Sequence, residues 1–319
     1  MNGIEQNLDT YDVVVVGGGA AGLSAALVLG RARRGTLVVD AGEPRNAPAA
    51  HMQGYLTRDG MSPAAFLEAG RREIAGYGVA YTEGLVTAAA PDGDDGFTVT
   101  LADGRRIRAR RLIVTTGLAD ELPELDGLAP RWGRDVLHCP YCHGWEVRDR
   151  AFGVLAHPEL PAQQALMVSR WSADVTLFLH TAAAPSAQDA ARLAAAGVTV
   201  VTGEVAGLVV EEDRLTGVRM ADGRTVAREV LFVGPRPVPR DGLLTALGAA
   251  TRATPFGEFV AVDETGRTGV PGVWAAGNAI GAHEQVVNAA SGGYRAATAV
   301  NADLLLTDLD RRAAAGSAR

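Results

Sequence analysis

The patterned part of the chain begins with Tyr11–Gly17 (YDVVVVG), an apolar, β-branched run of strand length that ends in glycine. Ala20–Leu29 follows as an Ala- and Leu-rich helix, and a second strand is predicted over Thr36–Asp40, after the arginine cluster Arg31–Arg34. Strand, helix and strand within about thirty residues form a βαβ unit, which requires a parallel sheet. The pattern then repeats. Gly78-Val79-Ala80-Tyr81 is echoed by Gly197-Val198-Thr199-Val200, and Ala102-Asp103-Gly104-Arg105 by Ala221-Asp222-Gly223-Arg224, at one constant offset. Each Asp-Gly lies between short alternating runs, as a hairpin turn requires. Each hairpin leads into an apolar strand ending in glycine, Leu112–Gly117 and Val230–Gly234. Two matches in one register indicate a duplicated nucleotide-fold plan. The second copy opens with a strand at Phe152–Ala156 and a helix-like Gln163–Arg170. Beyond Thr245, a strand at Val273–Ala276, a Gly-Asn turn and a helix from about Gln285 are expected to complete the first domain. The polar tail Arg311–Arg319 is expected to fray.

Composition narrows the chemistry. The 319 residues suffice for two domains, and 47% are aliphatic or aromatic, so a sizeable core is available. All 30 basic residues are arginine. The missing lysine, which a GC-biased genome accounts for, excludes Schiff-base, pyridoxal-phosphate and Walker-A mechanisms. A net charge of −7 without a basic run argues against a nucleic-acid partner. The polar, acidic start MNGIEQNLDTYD is unlike a secretory signal, and no apolar run reaches membrane-span length, so a cytoplasmic protein with no membrane partner is expected. Cys139 and Cys142, the two cysteines, cannot build a disulfide scaffold and supply only half of a zinc site, so no metal is expected. A lone CxxC in a cytosolic chain points to redox chemistry.

Gly17-Gly18-Gly19-Ala20-Ala21-Gly22 fits GxGxxG between a strand and a helix. Its glycines permit the tight turn, the approach of a pyrophosphate and close helix packing, and the helix start attracts phosphate. Asp40 closes the second strand about 20 residues on, where a ribose hydroxyl needs an acceptor. Thr115-Thr116-Gly117 and Gly269–Asn278 (GVPGVWAAGN) resemble the two further signatures of two-dinucleotide flavoproteins, so FAD is the expected cofactor rather than NAD. The equivalent turn of the second copy, Ala156–Pro161, has no glycine and two prolines, which makes it a poor phosphate cradle. His180-Thr181-Ala182, after the next strand, offers no arginine pair for a 2′-phosphate. The nucleotide fold is retained there while its nicotinamide site has decayed.

His138-Cys139-Pro140-Tyr141-Cys142-His143-Gly144-Trp145-Glu146 places a histidine beside each cysteine. An imidazole of near-neutral pKa can deprotonate an incoming thiol and protonate a leaving one. His143 is the favoured base, His138 a second candidate, and His157 and His180 are assigned packing roles. Tyr141, Trp145 and Trp171 are candidates to line a substrate pocket, and equally for core or subunit contact.

From about residue 11 to 306 the chain resembles the low-molecular-weight thioredoxin reductases. In particular it resembles their branch of FAD-dependent dithiol oxidases, which close disulfides in natural products such as holomycin, gliotoxin and romidepsin. The resemblance rests on GGGAAG, CPYCHGWE, WAAGN and the following HEQVV. His143 stands where the reductases carry an aspartate; their GxGxxA and HRR motifs are missing, and Asn278 replaces their flavin-domain aspartate. The resemblance implies an α/β fold with two Rossmann-like, three-layer ββα domains. The FAD domain is expected over residues 1–118 and 245–319, and a degenerate NAD(P)H-like domain carrying the CxxC over 119–244. It also implies a homodimer, with Gly17, Gly19, Ala20, Ala21, Gly22, Asp40, Thr116, Gly117, Gly277 and Asn278 at the FAD. Arg45, Asn46 and His51 would lie in a loop wrapping it, Val86 at the adenine, and Gln285 and Val286 at the helix facing the flavin pyrimidine.

The implied reaction oxidises a small-molecule dithiol through the Cys139–Cys142 disulfide, with dioxygen as acceptor and hydrogen peroxide as product. Two other readings share these parts: a disulfide reductase using NADPH or another donor, and a non-catalytic redox-sensing flavoprotein.

Overall fold

A computed structural model of the chain describes residues 8–93 and 95–317. The polar start Met1–Asn7 and the last two residues of the tail lie outside the described residues. The chain begins with β1 (Asp9–Val16), α1 (Ala20–Arg31), β2 (Thr36–Asp40), α2 (Pro63–Ala75) and β3 (Ala80–Glu83). Three antiparallel-paired strands follow, β4 (Val86–Pro91), β5 (Phe97–Leu101) and β6 (Arg106–Val114), and then β7 (Leu118–Glu121). Next come β8 (Val136–Leu137), α3 (Pro140–His143), β9 (Phe152–Leu155), α4 (Gln163–Val168), β10 (Val175–Phe178), α5 (Ala187–Ala195) and β11 (Thr199–Val201). A meander of β12 (Val205–Glu211), β13 (Arg214–Met220) and β14 (Thr225–Ala227) precedes β15 (Val230–Phe232). The chain ends with β16 (Arg236–Pro239), α6 (Gly242–Ala246), β17 (Thr251–Thr254), β18 (Gly257–Val260), β19 (Val273–Ala275) and α7 (Val286–Ser317).

Two compact units result, one of residues 1–47, 63–119 and 237–319, the other of 48–62 and 120–236. Compared with the division read from the sequence, 237–244 group with the first unit and 48–62 with the second. Leu244 of α6 is fully buried in the first unit's core, which accounts for the former. Pro48 packs so closely on Gly133 that a Cβ there would meet its carbonyl oxygen at 2.6 Å, which ties the latter segment to its unit.

In the first unit, β3-β2-β1-β6 form a parallel sheet that β19 joins on β6, while β5 pairs antiparallel with the start of β6 and β4 antiparallel with β5. Val13 and Val15 pack with α1, α2 and α7, and Val14 and Val16 pack on the opposite side with Phe97, Val99, Leu244 and Val260. A strand covered on both faces must be apolar throughout, hence the unbroken VVVV of β1.

The second unit repeats the plan. Its sheet β11-β10-β9-β15-β8 is wholly parallel. Helices α4 and α5 cover one face, through Val168 and Leu193 against Phe152, Val154 and Leu177. The meander covers the other, through Val205, Leu208, Val218 and Met220 against Phe178 and Leu231. The fold is therefore α/β with two three-layer, Rossmann-like units.

The duplication extends to single bonds. In both Asp-Gly turns the aspartate accepts the backbone N–H of the arginine two residues on at 3.0 Å, and that arginine's Nε at 2.7 Å. Gly104 and Gly223 take φ of +86° and +89°, the left-handed conformation such a turn assigns to glycine. The tail differs from expectation: α7 continues through Ser317, because an Ala-rich sequence favours helix and Arg311 pairs with Asp95. No helix among the described residues is long and apolar enough to cross a membrane.

Candidate functional site

The first unit presents a dinucleotide cradle at the end of β1. Gly17 has φ +107°, and a Cβ on it would meet the Thr115 carbonyl oxygen at 2.5 Å; one on Gly22 would meet the Gly17 carbonyl oxygen at 1.9 Å. Both positions are closed to any side chain. Gly19 differs, since its Cβ would have nothing within 4 Å. It caps α1 without a side-chain hydrogen bond, and the first intrahelical bond runs from Leu23 N–H to the Gly19 carbonyl. The N–H groups of Ala20, Ala21 and Gly22 thus have no helical acceptor, at a positive helix end that is open beside Gly19. This shape and donor set fit the pyrophosphate of FAD.

Asp40 is placed as expected. Its carboxylate accepts from Gly18 N–H at 2.9 Å and from the Tyr81 hydroxyl at 2.9 Å. Burial, reinforced by the Asp40 charge, pushes the Tyr81 phenol up to about 12, so it remains a proton donor and holds the carboxylate's orientation. Gly84 N–H donates to the Asp40 carbonyl at 2.9 Å, which places Val86, at the start of β4, just beyond the end of β2.

Asn278 donates from Nδ2 to the carbonyls of Gly281 and Ala282 at 2.9 and 3.2 Å, which leaves its Oδ1 to accept from a ribityl hydroxyl. Arg45 donates to the same Ala282 carbonyl at 3.0 Å, and Asn46 lies in the turn that follows. Gln285 caps α7, its carbonyl accepting Ala289 N–H at 2.8 Å, so the N–H of Val286 begins the helix as anticipated. Glu284, just before this helix start, has its carboxyl pKa raised by burial, partly offset by Arg295.

Gly277 (φ +68°) lies against Ala21, and a Cβ on Gly293 of α7 would meet the Ala21 carbonyl oxygen at 1.9 Å. Cradle, Asn278 turn and α7 are thereby brought together. The remaining expected residues have the following surroundings. The Thr116 hydroxyl donates to the Arg240 carbonyl at 2.6 Å, and Gly117 accepts Arg240 N–H at 3.0 Å, so this pair anchors the chain's return. His51 is exposed and belongs to the second unit.

The second unit carries the dithiol on α3. Cys139 is the N-cap and Pro140 the first helical residue, where a missing N–H costs nothing. Cys139 accepts the N–H groups of Cys142 and His143, both at 3.2 Å. This single turn puts Cys139, Cys142 and His143 on one side and directs Tyr141 to the other. Both cysteines are half-buried. Burial lowers the His143 pKa below its ordinary 6.5, partly offset by Glu146, so the imidazole is neutral at pH 7 and can accept a thiol proton. His138 Nδ1 donates to the Val233 carbonyl at 3.0 Å, which makes Nε2 its basic nitrogen. Gln164 donates to the His138 carbonyl at 2.7 Å. His157 and His180 each accept a backbone N–H, from Glu159 and Val205, at 3.2 and 3.0 Å.

Tyr81, Gln164 and Gly293 were not singled out by sequence reasoning, and the bond that Thr115 makes was not foreseen. Thr115 donates to the Gly17 carbonyl at 2.8 Å and so shapes the cradle. The Gly292-Gly293 pair inside a helical run was the one sequence signal available, since glycine there signals close packing.

Residues 11–152 and 171–293 match the family described as pyridine nucleotide-disulphide oxidoreductase. The chain is 30% identical to thioredoxin reductase sirT of Leptosphaeria maculans, covering 95% of this chain and 97% of that protein. It is 31% identical to thioredoxin reductase tcpT of Claviceps purpurea, with coverage of 92% and 94%. Among solved structures, HlmI is similar at a TM-score of 0.90 and 49% identity, covering 99% of this chain and 98% of that one. With a glycine cradle in one unit and a dithiol helix in the other, the chain belongs to the pyridine nucleotide-disulphide oxidoreductases, as an FAD-dependent, thioredoxin reductase-like disulfide oxidoreductase.

Proposed function

We propose that the protein is a dithiol oxidase, which closes an intramolecular disulfide in a small-molecule dithiol and passes the electrons to dioxygen. The turn after β9 carries this reading. A nicotinamide dinucleotide needs glycine N–H groups at a helix start. Here His157–Pro161 contains no glycine, Glu159 spends its N–H on His157 and brings a negative charge, and α4 has only six residues. Electrons are therefore taken to enter from the thiol side.

A substrate thiol gives its proton to His143 and attacks Cys139 of the oxidised pair, which releases Cys142 as thiolate. The second substrate thiol attacks the substrate sulfur of this mixed disulfide, frees Cys139, and departs as the cyclic disulfide. Two electrons and two protons have then moved to the protein. Bound FAD, held by the glycine cradle, would supply the two-electron acceptor for the reduced Cys139–Cys142 pair and, through its own oxidation by dioxygen, the hydrogen peroxide product. Loss of the electron pair would restore the Cys139–Cys142 disulfide, with His143 and His138 as the proposed proton carriers.

Anaerobic addition of a small dithiol is expected to bleach the flavin, NADPH to leave it coloured, and air to restore it with one peroxide per disulfide formed. Rapid bleaching by NADPH coupled to thioredoxin reduction sinks this reading and favours the reductase. A homodimer belongs to the same proposal. Val287, Tyr294, Leu305, Leu306 and Leu309 of α7 are exposed, and a second copy would cover them. Sedimentation should give twice the chain mass.

A further inference from the structure

In the second unit α4 stands where α1 stands in the first, after a central parallel strand and the turn that follows it. Its first turn bonds to the chain that carries the cysteines. The half-buried Gln164 side chain donates from Nε2 to the His138 carbonyl at 2.7 Å. That carbonyl belongs to the planar peptide group whose nitrogen is that of Cys139, so the bond fixes the entry to the redox turn. The His138 ring ties the same residue to the Val233 carbonyl at 3.0 Å. Just past the other end of α4, Trp171 meets the exit. A Cβ on Gly144 would come within 3.0 Å of its indole, and the Tyr141 ring meets it edge-on at 5.5 Å and 89°. The Trp171 carbonyl accepts the Asp149 N–H at 2.8 Å, and the buried Ser172 donates to the Arg150 carbonyl at 2.6 Å. Residues 164–172 thus hold the chain both before Cys139 and after Cys142.

We propose that Gln164 and Trp171 are positioning residues for the thiol–disulfide step, and that α4 serves as the brace that keeps Cys139 and Cys142 at disulfide spacing. A disulfide requires Cα atoms about 4.4–6.8 Å apart. Residues three apart in a helical turn have Cα atoms about 5 Å apart, so the turn that holds the two free thiols also accommodates the bond between them. A helix of four residues does not hold its shape alone. The shape of α3 is set by what grips its ends, Gln164 ahead of Cys139 and Trp171 at Gly144. A gripped turn keeps each thiol at a high effective concentration beside the other. A loosened turn lowers that concentration and favours mixed disulfides over the internal bond. Oxidase and reductase cycles both pass through this pair, so the brace serves either direction of electron flow.

The test is an anaerobic equilibrium of the FAD-loaded full-length protein with graded mixtures of reduced and oxidised glutathione. Oxidised glutathione takes two electrons and two protons from the Cys139–Cys142 dithiol and leaves as two molecules of reduced glutathione. The value of [GSH]²/[GSSG] at half-oxidation therefore measures the effective concentration, and alkylation followed by mass spectrometry of the cysteine peptide counts the dithiol, disulfide and mixed-disulfide forms. Q164M keeps the side-chain length and loses the donor. Its half-point should fall about fivefold, as expected for one lost hydrogen bond, with more of the mixed disulfide. W171L should show a fall of similar size, and W171F, which keeps a ring against Gly144, should restore most of it. Q163M, at the exposed neighbouring position of α4, should keep the wild-type half-point. Thermal melting of the same proteins separates positioning from plain support of the fold. A wild-type half-point in Q164M or in W171L overturns the proposal, whatever the melting temperature does. So does a fall in Q163M equal to that in Q164M, or a fall that W171F shares in full.

Discussion

A thiol is oxidised only after it loses its proton, and at pH 7 the residue beside Cys142 able to take it is a histidine kept neutral by burial. Because the His143 pKa is lowered from 6.5, the acid fall in kcat/KM that belongs to it should lie below pH 6.5. H143N is expected to lose roughly a hundredfold in kcat/KM and to shift the profile toward the thiol's own pKa, about 8.5. Stability follows the same ionisation. A depressed folded pKa means that the contribution is present above 6.5 and is lost as pH falls through the lowered value, so H143N should flatten this slope in denaturation series. The glycines separate binding from folding. G22A should destabilise the apoprotein by about 1–3 kcal/mol or more, since its Cβ would overlap the Gly17 carbonyl at 1.9 Å. G19A has space and an ordinary φ of −75°, so apoprotein stability should change by no more than about 0.5 kcal/mol while FAD affinity falls. Equal apoprotein melting losses in the two variants would contradict this division. Residues such as Gly19, Asp40 and Cys139 were legible because their chemistry is local. Tyr81 was not, because only the register of β2 on β3 brings its hydroxyl to Asp40.

At the level of elements, periodicity located strands and helices well and located their ends less well. Thr36–Asp40 has the expected bounds, whereas β6 begins at Arg106, since its first half pairs with β5 and alternates polar with apolar. The α1–α7 packing depends on glycine. G293A is expected to cost about 3 kcal/mol, because the added methyl meets backbone rather than a movable side chain. Chemical denaturation of the apoprotein measures it, and a loss below about 0.5 kcal/mol would show that α7 can shift away from α1. The two prolines and missing glycines of the turn at Ala156–Pro161 were legible in the sequence because donor loss at proline is a property of residue type. The Gln164 bond to the His138 carbonyl from the helix after that turn had no sequence signature, as a half-buried glutamine commits to one partner only in three dimensions.

In the first unit as a whole, the C-terminal helix is locked to the sheet by charge. Arg111, 7% exposed, donates to Asp95 and Asp303 at 2.5 Å each, and Arg110 reaches Asp12 and Asp308 at 3.2 and 2.6 Å. R111M should destabilise the fold by about 3 kcal/mol, because it strands the partly buried Asp303 while Asp95 keeps Arg311, and R111M/D303N should recover part of the loss. Additive losses in denaturation experiments would rule out the coupling. Hydrogen bonding from Arg110 lowers the Asp308 pKa, so this support is present above the ordinary 3.8 and is lost as pH falls through the lower folded value. The duplicated α/β plan, the GxGxxG turn, the CxxC flanked by histidines and the glycine-free turn of the second copy were determined by the sequence itself. Each depends on residue type at short spacing, where backbone donors and φ angles are set by neighbours in the chain. Tertiary structure alone decided that Thr116 binds Arg240, that residues 48–62 join the second unit, and that Tyr141 and Trp145 are surface rather than core. Those outcomes depend on which distant segments come to lie against one another, and burial and partnering are properties of that arrangement, not of local spacing.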